Sequence, residues 1–233
     1  MPSPLALELA AIVMRRADER AGLWFAAQYQ QVHPGLRRTA FLETLAETTP
    51  RLGRHKVDYS PEERQGLLRA NIVVIPPTLR LDEAGAAALW LEGLAGMGAT
   101  DCVGLVHDVF YRGTMDQRCT LLKFLHHLPD PGRFVDLAME AVFGSSQDVK
   151  KSLILDNPYP VTHLPDSSWA ALVGVVAREA IPFDPIYGLP NRLIPPVVKE
   201  LEQYIGELRR FRKPVPAPIS QLLETARSGM ENR

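Results

Sequence analysis

The chain has 233 residues, 46% of them hydrophobic and 23% charged, a balance ordinary for a globular protein and far from that of a disordered one. Lys and Arg (26) nearly cancel Asp and Glu (27), which excludes a global field pulling the chain onto nucleic acid or an anionic membrane, though not a local basic patch. Cys102 and Cys119, the two cysteines, stand in no metal-ligand spacing and are expected to be reduced, as in a cytoplasmic protein.

The N-terminal segment runs into a helix that carries Glu8 and Arg15, so it lacks the basic start and uninterrupted apolar stretch of a signal peptide. Helices are expected over Leu5 to Ala17, Asp18 to Gln31 and Leu36 to Leu52. Ser60-Pro61-Glu62-Glu63 then reads as a capping box with proline at the first helical position. The run Ile72-Val73-Val74-Ile75 before Pro76-Pro77 is either a strand or, better, a buried helix end stopped by the prolines. The longest uncharged stretches, 70–79 and 167–177, fall short of the ~20 apolar residues that span a bilayer, so the chain is not expected to be integral to a membrane.

Further along, apolar residues recur at helical spacing: Ala87, Trp90, Leu91, Leu94; Cys102, Leu105, Val106, Val109, Phe110; Leu121, Leu122, Leu125, Leu128. Thr114 with Gln117 forms a second capping box, Asp130-Pro131 marks another start, and Gly96, Gly113 and Gly144 are placed to act as left-handed stops. Asp156-Asn157-Pro158-Tyr159-Pro160 should be a stiff non-helical corner, because each proline biases the residue before it away from helical geometry. Beyond it, Trp169, Leu172, Val173 and Val176 mark a helix from near Asp166, and Ile194, Val197, Leu201, Ile205 and Leu208 mark a longer one.

This pattern specifies an all-α fold of roughly nine or ten helices joined by short loops. The helical hairpins either stack as a HEAT-like α-α superhelix or gather as a compact multi-helix bundle. A single domain over 1–233 is expected, with 76–80 the place to divide the chain if it divides.

Candidate chemistry is sparse. His126-His127 lie about 100° apart on a helix and cannot share one ion, so they read as a helix end facing solvent and the carbonyl end of the dipole. His107-Asp108 has no nucleophile elbow beside it, and the nucleotide, zinc-protease and deaminase signatures are absent. A cryptic enzyme using His107, Asp108, Tyr111 or Arg112, or a purely structural helical scaffold, stands as the alternative to a binding protein. Arg209, Arg210, Arg212 and Lys213 complement the dipole at the end of the long helix; their other reading is a phosphate or membrane-surface contact. In the corner, Asn157 offers both donor and acceptor, and Tyr159, clamped between prolines, loses little entropy on binding.

Taken in order, Phe110-Tyr111-Arg112-Gly113, Leu128-Pro129-Asp130-Pro131, Asp156-Asn157-Pro158-Tyr159-Pro160, Gly188-Leu189-Pro190-Asn191-Arg192 and the basic stretch from Glu207 to Pro216 resemble the EboA family over about residues 100–220. The resemblance implies a non-enzymatic accessory protein of the bacterial Ebo cluster, which moves a secondary-metabolite precursor from the cytoplasm towards the periplasm. It implies a small-molecule metabolite, or other Ebo-cluster proteins including a membrane prenyltransferase-like enzyme, as partners, and no nucleic acid. Tyr111, Arg112, Asn157, Tyr159 and Arg192 are the candidate ligand- or partner-binding residues, with no catalytic residue, metal or cofactor expected. The chain departs from the family pattern after the corner, where Trp169-Ala170-Ala171-Leu172-Val173-Gly174 replaces an Asn-Gln-x-x-x-Lys pattern.

Overall fold

A computed structural model of the protein describes residues 3–32 and 38–231; the expected start of the third helix at Leu36 lies outside them. Among the described residues the fold is all-α, with no strand and two isolated β-bridges, and the chain forms two compact units, residues 1–131 and 132–233.

The first unit contains α1 (Pro4–Arg16), α2 (Glu19–Val32), α3 (Arg38–Leu52), α4 (Pro61–Arg69), α5 (Leu81–Ala95), α6 (Ala99–Arg112) and α7 (Met115–Lys123). Helix α5 is buried from Leu81 to Leu94. A helix that is apolar on every side must lie at the centre of its neighbours, and α1, α2, α3 and α7 all pack on it, so this unit is a bundle around a central helix. Gly93 permits that approach: a Cβ there would come within 2.7 Å of Phe41 and 2.9 Å of Val32.

Two carboxylates in the first turn of α5, Asp82 and Glu83, are nearly inaccessible and therefore require partners. Arg80 grips Asp82 with two nitrogens at 2.9 Å and reaches Asp116 of α7 at 2.9 Å; Thr49 donates to Asp82 at 2.8 Å and Lys123 to Glu83 at 2.7 Å. The network ties α3, α5 and α7 together, and its negative charge sits at the favourable end of the α5 dipole. Tyr59 Oη and Trp90 Nε1 are buried polar atoms without a hydrogen-bond partner among the described residues.

Helix boundaries follow the expected punctuation closely, with both capping boxes formed. Ser60 N–H donates to Glu63 at 2.8 Å and Thr114 N–H to Gln117 at 2.7 Å. Three expectations are corrected. The Ile72–Ile75 run is neither strand nor helix end: Asn71 turns left-handed (φ 62°), Ile72 N–H bonds back to Leu67 O at 3.1 Å, and the remaining residues form a loop. The start expected at Asp130-Pro131 opens a 3₁₀ turn over Pro131–Phe134 and not an α-helix, with Asp130 at φ 48°. Gly96, Gly113 and Gly144 do not adopt left-handed geometry; among described residues the left-handed positions just after α-helices belong to Gly53, Asn71, Asp156, Ala180 and Arg212.

The second unit contains α8 (Val135–Gly144), α9 (Gln147–Ile154), α10 (Tyr159–His163), α11 (Asp166–Arg178), α12 (Pro195–Arg210) and α13 (Ala217–Glu231), with a 3₁₀ turn at Leu189–Arg192. Helix α11 packs on α8 and α12, and α13 packs on α12 and on the 3₁₀ turn. Neither α10 nor α13 is among the helices expected above. Ile219, Leu223 and Ala226 give α13 a buried stripe at helical spacing, but Pro214, Pro216 and Pro218 at its entrance disguise the start.

In the first unit, Lys123→Met should leave Glu83 buried without its ammonium partner and cost about 3 kcal/mol in urea unfolding. His127 offers a second test, since it does not face solvent as expected but sits in the 3₁₀ turn Leu125–His127 beside Phe124. Burial, reinforced by neighbouring His126, pushes its pKa down from 6.5 to about 4. The unfolded chain takes up this proton more readily, so His127's contribution to stability is fully present above pH 6.5 and is lost as pH falls through about 4. A His127→Gln variant should show a flatter stability profile between pH 6.5 and 4 by urea titration.

Candidate functional site

The corner is built by backbone hydrogen bonds and one asparagine. Leu155 pairs with Ile186 in an isolated antiparallel bridge, and Asp156, turned left-handed at φ 50°, donates its N–H to Pro185 O at 2.7 Å. Asn157 then works in both directions: its Nδ2 donates to Ser152 O at 3.1 Å, and its Oδ1 accepts from Tyr159 N–H at 2.9 Å. The corner is not wholly non-helical, as Tyr159 and Pro160 form the first turn of α10. A first-turn proline gives up no intrahelical hydrogen bond, and the Tyr159 N–H already has the Asn157 side chain.

Asn157 is 3% exposed and Tyr159 0%, so neither presents a face to solvent. The Tyr159 ring lies 4.9 Å from His163. Burial pushes the Tyr159 phenol up, with a smaller contribution from Asp136, and burial pushes the His163 imidazole down. Burial also raises the Asp156 carboxyl above its ordinary range.

Arg192 closes the corner from thirty residues away. Its guanidinium donates to Val161 O at 2.7 Å, Leu164 O at 2.8 Å, Asp166 Oδ1 at 2.7 Å and, more weakly, Pro160 O at 3.5 Å. It also lies 5.6 Å from the centre of the Trp169 ring, and Trp169 Nε1 donates to the Arg192 carbonyl at 3.0 Å. One planar cation thus takes up Val161 O and Leu164 O, free carbonyls at the end of α10, and the carboxylate at the start of α11. Trp169 is the buried plate on which that cation rests. The approach is guided by Gly188 at φ 71°, where a Cβ would meet Val161 at 3.0 Å.

The locked turn forms one wall of a groove. Phe183, Asp184, Leu189 and Pro190 face Pro218, Gln221, Leu222 and Thr225 of α13 across a cavity of about 220 Å³. Its walls mix the apolar Phe183, Leu189, Pro190, Pro218 and Leu222 with the polar Asp184, Gln221 and Thr225. None of these residues is a candidate on sequence grounds, because the groove exists only once α13 is recognised as a helix and packed. In the first unit a second hollow, about 380 Å³, is lined by Asp18, Arg20, Ala21, Glu47, Pro50 and Arg51, and its charges are partly spent on each other, as in the Arg51–Glu47 pair at 3.1 Å.

Tyr111 and Arg112 lie at the end of α6 in the first unit, 49% and 83% exposed. Arg112 Nη1 is 3.9 Å from Asp108, which also pairs with Arg38, and the His107 and Tyr111 rings are 5.8 Å apart. The five candidate residues therefore divide: Asn157, Tyr159 and Arg192 converge on one buried lock, and Tyr111 and Arg112 stand on an exposed helix end.

Fold and site together define an all-α protein of capped helices whose second unit holds a locked corner and a small groove of mixed apolar and polar lining. Residues 6–224 match the family described as metabolite traffic protein EboA, and the chain belongs to that family. The match extends the likeness noted above into the first hundred residues. No curated protein and no solved structure matches the chain. Among the described residues no helix is long and apolar enough to cross a membrane.

The lock makes a specific demand on its cation. Arg192→Lys, which keeps the charge but loses the planar fork, should cost about 2 kcal/mol in chemical denaturation, and Arg192→Ala about 3 kcal/mol, since buried carbonyls lose their donors.

Proposed function

We propose that this member of the EboA family is a non-enzymatic accessory protein of metabolite traffic that holds an apolar portion of its cargo, a secondary-metabolite precursor, in the groove between the Phe183–Pro190 segment and α13. The observation that carries the reading is the groove: Phe183, Leu189, Pro190, Pro218 and Leu222 supply an apolar lining, and Asp184 and Gln221 supply polar groups for orientation. Its volume of about 220 Å³ suits a short isoprenoid or one ring system, with the rest of the cargo outside. The Arg192 lock supports the reading because it holds Leu189 and Pro190 in place before any ligand arrives, which lowers the ordering cost of binding.

In the same reading, the exposed Tyr111 and Arg112 contact a partner protein of the trafficking system, such as a membrane prenyltransferase-like enzyme. A catalytic role for the end of α6 is less well supported, since Asp108 is engaged by two arginines and Arg112 extends into solvent.

Calorimetric titration with geraniol, a short prenyl alcohol, tests the groove. Saturable binding is expected, and Leu222→Trp, which fills the cavity from α13, should weaken it at least about tenfold with the fold intact by circular dichroism. Binding that ignores Leu222→Trp would move the cargo elsewhere.

A further inference from the structure

Helix α12 ends in a run that the groove does not use. Arg209, Arg210, Arg212 and Lys213 are all exposed, and none of them makes an ion pair with a described residue. The acids nearest in sequence are committed elsewhere: Glu207 and Glu200 to Arg178 at 3.5 and 3.3 Å, and Glu202 to Arg227 at 3.5 Å. In the middle of the four cations stands Phe211, 69% exposed and, among the described residues, the most exposed of the large hydrophobic side chains.

Closing the helix does not require this composition. Lys213 N–H bonds to Leu208 O at 2.8 Å and Arg212 N–H to Arg209 O at 3.0 Å, a stop that uses backbone groups alone. The left-handed position of that stop, φ 53°, is occupied by Arg212 where glycine would fit without strain. Cations in the last turn complement the dipole, but Arg212 and Lys213 lie beyond it, and no dipole argument accounts for an aromatic ring held in water.

We infer that the end of α12, Arg209 to Lys213, is a docking surface for an anionic phospholipid membrane, with Phe211 entering the headgroup layer and the four cations facing lipid phosphates. An exposed aromatic among cations is the composition of surfaces that lie on a bilayer without crossing it. Fluid headgroups bring negative charge to each cation without fixed geometry, whereas an acidic protein would have to place carboxylates at matching positions around a buried Phe. The near-neutral chain makes this a local attraction, strong only where the four cations approach the surface within a Debye length. Such docking does not depend on what the groove holds.

Vesicle flotation tests it, using the full chain without cargo. The protein should float with phosphatidylcholine vesicles containing phosphatidylglycerol and not with phosphatidylcholine alone, and high salt should release it. Arg209→Gln with Arg210→Gln should lower partitioning more than about tenfold, at roughly fivefold per cation, and Phe211→Ser by about tenfold. Arg212→Gly separates docking from structure: relief of the left-handed strain should leave the melting temperature equal or higher while partitioning falls about fivefold. Equal flotation with neutral vesicles, or partitioning indifferent to these substitutions, overturns the inference. Failure to float combined with capture on polyglutamate through the same residues assigns the surface to an acidic protein and overturns it equally.

Discussion

Every α-helix leaves backbone donors at its start and acceptors at its end that its own turns cannot satisfy, and a chain folded into many short helices meets that constraint at each boundary. The architecture is largely the set of answers. Side chains close the starts at Ser60, Thr114 and Arg80, the last through its N–H to Glu83 at 3.1 Å. Backbone reversals close the ends at Asn71, Ala180 and Arg212. Helix α10, too short to reverse, is closed by the side chain of Arg192. Helix packing then follows, because an end that is satisfied can be buried.

The Arg192 solution has the widest effect within the second unit. It joins α10, α11 and the 3₁₀ turn through hydrogen bonds at 2.7–2.8 Å and stacks on Trp169, so three segments distant in the chain share one fixed point. A wall of the groove is held three residues from that point. Asn157 and Tyr159 belong to the same lock as buried members, which makes the corner the support of a surface rather than the surface itself.

Local features were the legible ones. Capping boxes, apolar stripes and the start at Asp166 depend on residues within four positions of each other, and the structure bears them out. What escaped was of two kinds. Proline-rich entrances hid α10 and α13, since a proline reads as a break although it is well tolerated in a first turn. Long-range partnerships were invisible as well: nothing near Arg192 or Val161 announces that they meet, and without that contact Asn157 and Tyr159 look like an exposed recognition element. Glycine was also over-read as a stop, because Asn71, Ala180 and Arg212 accept left-handed geometry where the following residue, Ile72, Ile181 or Lys213, donates a backbone hydrogen bond to the last turn of the helix.

Helix α5 illustrates a last point about uniformly apolar helices. Oil-like surfaces on all sides discriminate poorly between positions along an axis, and a cylinder so packed could slide by a turn with modest change in apolar contact. Asp82 and Glu83 at one end meet Arg80, Thr49 and Lys123, while Glu92 near the other accepts from Tyr29 Oη at 3.2 Å and Ser3 N–H at 3.3 Å. A shift of one turn would strand carboxylates at both ends. The charges act as detents, setting the longitudinal position of the central rod and, through it, the height at which α1, α2, α3 and α7 assemble.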